Sequence, residues 1–227
     1  MFRTLTEKHG DRILNGCGWF LLVCEIYKQL FLYYTINHGN YDWWFFPFQL
    51  CSLPMYLCLL LPFLSDGRLK TVFYTFMQDF GLLGGIAALI VSDGFRHIHW
   101  SLTLHGYVWH LVLIFISLVI FSSGRSDLSL KGFLRILPFF ALCCCIATLI
   151  NVAAPGYGIA DMFYISPYHP STQLLIHDIS LKYGILTGHL IYLSSVCLGG
   201  LLVHESFAAM HRKENIKHIK HIKPKEK

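Results

Sequence analysis

The sequence predicts an all-α protein: a polytopic transmembrane bundle of about six spanning helices, with both termini in the cytoplasm. An apolar composition, six long apolar segments and an alternation of basic charge between the connections predict it. Hydrophobic residues make up 55% and charged residues 14% of the 227 residues. Average soluble domains carry about 25% charged residues. A soluble fold of this size cannot bury so much apolar surface, whereas a bilayer solvates it directly.

Six segments reach or approach the length of a spanning helix, which needs about 20 mostly apolar residues. They are Leu14–Tyr34, Pro47–Leu64, Thr71–Val91, Leu102–Phe121, Phe133–Val152 and Tyr183–Val203. The second is short and the first is the most polar. The first segment lacks a small-x-small cleavage site, so we expect a retained span and not a signal peptide.

The basic residues give the orientation, because Lys and Arg concentrate on the cytoplasmic side of membranes. They cluster in the N-terminal segment, in the connections after spans two and four, and in the tail, where seven lie between Arg212 and Lys227. The other three connections hold only Arg96 and Lys182. The pattern predicts a multi-pass protein of the cell membrane with both termini inside.

Three regions follow from this reading. Residues 1–13 form a cytoplasmic N-terminus, 14–204 a six-helix transmembrane domain, and 205–227 a basic tail that we expect to be disordered. The charge of the tail suits an anionic lipid surface, so membrane lipids are the predicted partners and nucleic acid is not. The outer loop, 153–182, is too apolar for a solvated loop and is expected to fold back on the bundle or to act as a lid.

The motifs of soluble enzymes are missing from the sequence. It has no phosphate loop, no dinucleotide-binding glycine pattern, no HExxH motif and no nucleophile elbow. All eight cysteines lie in or near apolar runs, which favours packing residues over a disulfide framework. No cofactor is predicted. His97 and His99, with His105 nearby, offer imidazole ligands, but such a pair also arises by chance, and no metal site is assigned.

Polar residues inside the predicted spans are the candidate site. Such groups are costly in a bilayer and tend to face the bundle interior or a wet cavity. Five of the six spans place one or more of them in the outer half: Lys28, Gln49, Cys51, His105, Asn151 and His189. We hypothesise a shared polar cavity there. Glu25 and Lys28 have the spacing of a helical ion pair, and Asp79 lies with Gln78 in the inner half of span three.

Short motifs resemble those of the YwaF-like family of small polytopic membrane proteins. Phe46–Leu53, reading FPFQLCSL, resembles the family pattern Pro-x-His/Gln-Leu-Cys, and Trp100 followed by His105 resembles its histidine-bearing span. Asn151, Gly156-Tyr157 and Pro167 before Leu174-Leu175 resemble its last outer loop.

The resemblance implies a polytopic membrane protein of mostly unassigned activity. Distant eukaryotic relatives are described as lipid acyltransferases that use a cysteine in a Pro-Cys-His motif. Pro47 matches the proline of that motif, whereas Phe48 and Gln49 occupy the cysteine and histidine positions, so the nearest thiol is that of Cys51.

Three classes of function stay open. In the first, the protein handles lipids or amphiphiles, with acyl transfer as its chemical form. Cys51 is then the nucleophile and His105 the base, and the predicted substrate-binding residues are Gln49, Asn151, His189, Lys28 and Tyr157. In the second, it is a structural or regulatory membrane protein whose polar core fixes the fold. In the third, Asp79, His105 and His189 are stations of a transport path.

Overall fold

The computed structural model describes residues 2–154 and 158–222. Within these ranges the chain forms seven α-helices and no β-strand, which confirms the all-α prediction. The helices are α1 (Phe2–Leu30), α2 (Leu53–Leu60), α3 (Arg68–Ile90), α4 (Trp100–Ser123), α5 (Leu130–Ala153), α6 (Ile176–Tyr183) and α7 (Ile185–Ile222). A π-helical turn, Phe31–Ile36, continues α1, and 3-10 turns at Leu50–Ser52 and Leu61–Phe63 extend α2 at both ends.

Every predicted span coincides with a helix, but the helices differ in length and apolar composition, the two properties that a membrane crossing requires. Among the described residues, four are long and apolar enough by length and composition: Arg68–Ile90, Trp100–Ser123, Leu130–Ala153 and Ile185–Glu214. The apolar helical segment Leu50–Phe63 is shorter, and α1 carries charged residues along its length. A crossing by these two segments therefore stays a prediction.

The helices give the bundle two ends. We call "loop end" the one that holds the connections between α1 and α2, between α3 and α4, and between α5 and α6. The "terminal end" holds the start of α1, the connections between α2 and α3 and between α4 and α5, and the last turns of α7. In the predicted orientation the loop end faces outward and the terminal end faces the cytoplasm.

Helix α3 lies at the centre of the bundle, where it packs against α4, α7 and α5, and α4 packs in turn against α1. Gly85 of α3 permits the close approach, since a Cβ there would lie 3.0 Å from the carbonyl oxygen of His110. Phe76, Leu113 and Ile136 are fully buried between the helices. Large apolar side chains point outward instead on α5 and α7, as expected for helices that face lipid: Leu142, Leu149, Leu186, Leu190, Leu198 and Leu202.

The outer loop packs on the bundle in its described part, residues 158–182. Met162 and Phe163 are buried in a 3-10 turn, Met162–Tyr164, that contacts α5. Farther along, α6 forms a hairpin with α7 through Gly184, whose φ of 97° suits glycine. The side chain of Ser180 covers Gly188, where no larger residue would fit.

The end of the chain differs from the expected disordered tail. Helix α7 continues without a break from Ile185 to Ile222. Residues 205–222 contain no Gly or Pro, and Pro224 disfavours helical conformation in the residue before it, so a helix ending at this point agrees with the sequence. The last five residues, 223–227, lie outside the described ranges.

Candidate functional site

A charged pair lies at the loop end of α1. Glu25 is 4% exposed, and the Nζ of Lys28 lies 2.8 Å from its Oε1, so the predicted pairing is present. The amide nitrogen of Gln29 donates to the same Oε1 at 2.7 Å and to the carbonyl oxygen of Phe45 at 2.7 Å. The pair is therefore anchored to the connection that leads into α2.

Cys51 and His105 meet at Trp109, which lies one helical turn after His105 on α4. The indole Nε1 donates to the carbonyl oxygen of Cys51 at 3.0 Å, and the rings of His105 and Trp109 are 5.4 Å apart. Helix α1, which carries the Glu25–Lys28 pair, packs along α4. The structure thus places Cys51, in the 3-10 turn before α2, beside the part of α4 that carries His105.

The imidazole of His105 is only partly satisfied. Its Nε2 is buried and has no hydrogen-bond partner within the described ranges. A buried polar atom of this kind is costly unless water or a ligand meets it. The atom is therefore free to accept a proton or to bind a polar group.

Gln49 and Asn151 hold the outer loop. Gln49 donates to the carbonyl oxygen of Asp161 at 2.8 Å and accepts from the backbone N–H of Phe163 at 2.8 Å. Asn151 donates to the carbonyl oxygen of Met162 at 3.0 Å and accepts from its N–H at 2.6 Å. Two amides, one just before the 3-10 turn that leads into α2 and one on α5, thus hold the backbone of a single turn, which is a positioning role.

That turn has an uncommon backbone. Phe163 and Tyr164 have φ values of 58° and 57°, a region that bulky side chains rarely occupy. Such strain persists only where the surroundings hold it, and it concentrates at functional sites. Gln49 and Asn151 are the groups that hold it here.

Asp161 begins the same turn and was not singled out from the sequence. It is 1% exposed; the N–H of Ser166 donates to its Oδ1 at 2.9 Å, and its Oδ2 is buried without a partner in the described part of the chain. Burial raises the pKa of this carboxyl to about 6. An acidic residue in an apolar loop was the sequence signal that could have revealed it.

His189 lies near the start of α7 and joins the edge of this region. It is 8% exposed, its Nε2 has no partner among the described residues, and it interacts electrostatically with His169 of the outer loop. One turn later, Tyr192 contacts Tyr164 at a ring distance of 6.2 Å. Tyr157, the remaining predicted substrate-binding residue, lies outside the described residues.

A second buried pair lies toward the terminal end. The Nδ1 of His204 is 2.8 Å from Oδ2 of Asp79, both side chains are fully buried, and Nε2 is 3.0 Å from the carbonyl oxygen of Ser129. A carbonyl only accepts, so Nε2 carries a hydrogen. The contact between Nδ1 and the carboxyl then holds one further proton, and the pair as a whole is neutral. Gln78 donates to the other carboxyl oxygen at 3.2 Å, which closes the group.

Two cavities also lie at the terminal end, away from Cys51 and His105. One, of about 320 Å³, is lined by Asp11, Asp66, Gly67, Lys70, Thr71, Tyr74 and Arg125. The other, of about 240 Å³, is lined by Arg68, Thr71, Val72, Thr75, Asp127, Gly132 and Arg135. Neither coincides with the polar cavity hypothesised for the outer half.

In the comparison with protein families, residues 2–199 match the TMEM164 family. This chain belongs to the TMEM164 family. Comparisons with curated proteins and with solved structures gave no match. Membership agrees with the apolar helices and establishes the chain as an integral membrane protein.

The part of the chain that matches the TMEM164 family contains every loop-end residue discussed above and ends before His204. Within the described residues, no group of three or more His, Cys, Asp or Glu side chains is arranged to hold a metal ion. His97 and His99 stack on each other with ring centres 5.4 Å apart. The chemistry open to the loop end is therefore that of a thiol, imidazoles, amides and a carboxyl.

Proposed function

We propose that this TMEM164-family protein handles membrane lipids or other amphiphiles at the loop end of its bundle. One observation carries the proposal. Within the described residues, the buried side-chain polar atoms that lack a hydrogen-bond partner all belong to loop-end residues: Asn37, His105, Asp161, Ser166, Ser180 and His189. Polar atoms left unmet in a protein interior indicate a place for water or a polar ligand.

An amphiphile suits this place better than a small solute does. Large apolar side chains surround the loop end and are exposed, which leaves them open to acyl chains: Trp100, Leu104, Leu174, Leu175, Leu181 and Leu186. The headgroup of a lipid bound at the loop end can hydrogen-bond to these buried polar atoms while its acyl chains stay in the bilayer. The resemblance to acyltransferase-like proteins points in the same direction.

Acyl transfer is the chemical form that the residues support. The Cys51 thiol attacks the carbonyl carbon of a lipid ester while Nε2 of His105, which no described donor reaches directly, takes the thiol proton through a bridging water. The ester C–O bond breaks, the alcohol leaves with the proton from His105, and the acyl group stays on sulfur as a thioester. An acceptor hydroxyl then attacks the thioester, and the thiol recovers its proton. The Lys28 ammonium stabilises the negative charge that develops on the carbonyl oxygen.

The test is to trap the thioester. The purified full chain in lipid nanodiscs is incubated with a phospholipid that bears an alkyne-tagged acyl chain, and peptides are mapped by mass spectrometry. We expect a hydroxylamine-sensitive acyl label on Cys51. The label should be absent in Cys51→Ala and should form roughly 10²–10⁴ times more slowly in His105→Gln, the range for loss of a general base.

Cys145→Ser is the matched control, because Cys145 is an exposed thiol on α5, away from Trp109. It should label at the wild-type rate. Equal labelling of Cys51→Ala, or a label on several cysteines alike, would refute the nucleophile assignment. Lipid binding without covalent transfer is then the remaining form of the proposal.

A structural role is the alternative that a specific observation favours. Gln49 and Asn151, both predicted to bind substrate, use their amides to hold the outer loop. If every unmet atom at the loop end binds only water, the polar residues serve the fold alone. Transport gains less support, since Asp79 is enclosed in its pair with His204.

We also propose the cell membrane as the location, with both termini cytoplasmic. The support is the basic charge of the terminal end and of the end of α7. An epitope appended after Lys227 should be digested by protease only after the membrane is permeabilised. Digestion in intact cells would reverse the orientation.

A further inference from the structure

The smaller cavity at the terminal end opens between the first turns of α3 and α5. Arg68 begins α3, and Gly132 and Arg135 belong to the first two turns of α5. Both helices are long and apolar enough to cross the membrane. Their first turns therefore lie near the depth of the lipid phosphates, whichever way the protein faces.

The charges around this cavity leave one cation without a partner. Asp127 accepts from the hydroxyl of Ser129 at 2.6 Å and from a guanidinium nitrogen of Arg135 at 3.0 Å, so its charge is met. Arg68 has no hydrogen bond or ion pair with any of the described residues. The three charged residues that line the cavity are two arginines and one aspartate, so the wall carries a net charge of +1.

The neighbouring larger cavity differs from the smaller one in the pairing of its charges. Its cations are already used: Lys70 pairs with Asp11 at 3.1 Å and with Asp66 at 2.9 Å, and Arg125 pairs with Asp11 at 2.8 Å. Two carboxylates balance two cations there. A ligand with negative charge would have to displace those contacts, whereas Arg68 in the smaller cavity can accept one without displacing an ion pair of the described residues.

The surroundings of the smaller cavity fit a lipid. Val72 lines it, and Leu69, Leu130 and Leu134 on the same turns of α3 and α5 are more than half exposed. Planar guanidinium groups bind phosphate oxygens through paired hydrogen bonds, and basic pockets between spanning helices suit anionic headgroups. Thr71 adds a hydroxyl to the same wall.

We propose that this cavity binds the phosphate of an anionic membrane lipid between Arg68 and Arg135, with the acyl chains along α3 and α5. This site lies at the opposite end of the bundle from the proposed loop-end site and is independent of its chemistry. The headgroup reaches the cavity from the bilayer plane, and the ligand stays intact.

The test uses the full chain in detergent with short-chain lipids that have the same acyl chains and differ in the headgroup, anionic in one and zwitterionic in the other. We expect dioctanoyl phosphatidylglycerol to bind saturably, in native mass spectrometry and in thermal shift, and dioctanoyl phosphatidylcholine to bind at least tenfold more weakly. Arg68→Gln should weaken binding of the anionic lipid about tenfold. Because Arg68 is exposed and has no ion pair within the described residues, this variant should keep the wild-type melting temperature in the absence of lipid.

Lys131→Gln is the matched control, since Lys131 is an exposed cation beside Gly132 that does not line the cavity. It should bind as the wild type does. An equal loss in Lys131→Gln would mean a diffuse basic surface and would overturn the site. So would equal binding of both lipids. Stabilisation by inorganic phosphate alone at the same concentration would overturn the assignment to a lipid.

Discussion

Two groups of buried ionisable residues differ in whether their polar atoms have partners. At the terminal end, Asp79 and His204 share a proton in a closed, fully buried contact of 2.8 Å. At the loop end, Asp161, His105 and His189 each keep a buried atom without a partner in the described structure. The first arrangement stabilises the fold, and the second leaves groups free for a ligand.

The closed pair should be far more sensitive to loss of one member than of both. Removal of one partner from a buried pair leaves the other uncompensated, at a cost of about 3–5 kcal/mol. We therefore expect Asp79→Leu and His204→Leu each to lower the melting temperature strongly, and the double variant to lower it less than either. Glu205→Gln, at the exposed neighbour of His204, is the control. A strictly additive double variant would contradict the account of a shared proton.

Asp161 should make stability depend on pH. Its folded pKa of about 6 lies above the unfolded value, which is about 4. Between these values the folded carboxyl keeps a proton that the unfolded one loses, so stability falls as pH rises from about 4 to 6. Asp161→Asn removes this loss. The variant's free energy of unfolding, relative to that of the wild type, should rise by about 2–3 kcal/mol across that window. Its melting temperature relative to the wild type should rise with it.

The control for this measurement is Asp178→Asn, at an exposed carboxyl on α6. It should show no such pH dependence. A difference between Asp161→Asn and the wild type that is the same at pH 4.5 and at pH 7 would show that the carboxyl is not buried as described.

The sequence predicts a buried ionisable residue within a span better than it predicts that residue's hydrogen-bond partner. Asp79 stood out because an acidic group inside a span is costly. Its partner was missed, because His204 falls one residue beyond the predicted end of span six at Val203. Asp161 was missed for another reason: its burial arises from the way in which the outer loop folds back, and that is a tertiary effect.

At the scale of elements, the turn Met162–Tyr164 is the clearest case of one element held by others. Gln49 precedes α2 and Asn151 lies near the end of α5, and both fasten the same backbone. We expect Gln49→Ala and Asn151→Ala each to raise the rate of proteolysis within residues 158–170. The double variant should raise it by more than the product of the two, because each amide alone still restrains the turn.

Thr148→Ala is the control for this experiment. The Thr148 hydroxyl bonds only within its own helix, to the carbonyl oxygen of Cys144, and lies one turn before Asn151. Proteolysis there should stay at the wild-type rate. If Gln49→Ala and Asn151→Ala leave the loop equally resistant, the packing of Met162 and Phe163 alone holds the turn.

The elements themselves could be predicted because apolar length marks a membrane helix. All six predicted segments are largely helical, although only Leu50–Phe63 of the second is so. Three departures lie where apolar length gives no signal: the polar first turns of α1, which begins at Phe2 and not at Leu14, the short helix α6 in the outer loop, and the polar continuation of α7. In these places local helix propensity and packing decide the structure.

At the scale of the whole molecule, the two ends have opposite characters. The terminal end is rich in ion pairs that join α1, α3 and the connection before α5, such as Asp11 with Lys70 and with Arg125. Burial alone would raise the pKa of Asp11, but the hydroxyl of Tyr74 and the nearby cations lower it. Ion pairs hold the helices together at this end. The loop end instead combines strained backbone, exposed apolar side chains and buried polar atoms that have no partner among the described residues.

The measurement that tests lipid handling at the loop end most directly is saturable photo-crosslinking. The protein is placed in nanodiscs with a phosphatidylcholine that carries a diazirine on its acyl chain, with increasing unlabelled lipid as competitor, and crosslinked peptides are mapped by mass spectrometry. We predict crosslinks on residues 100–110 and 158–170 that saturate and compete, above a non-saturable background on the lipid-facing side of α5. Crosslinks on the loop end that neither saturate nor exceed the α5 background would contradict the proposal.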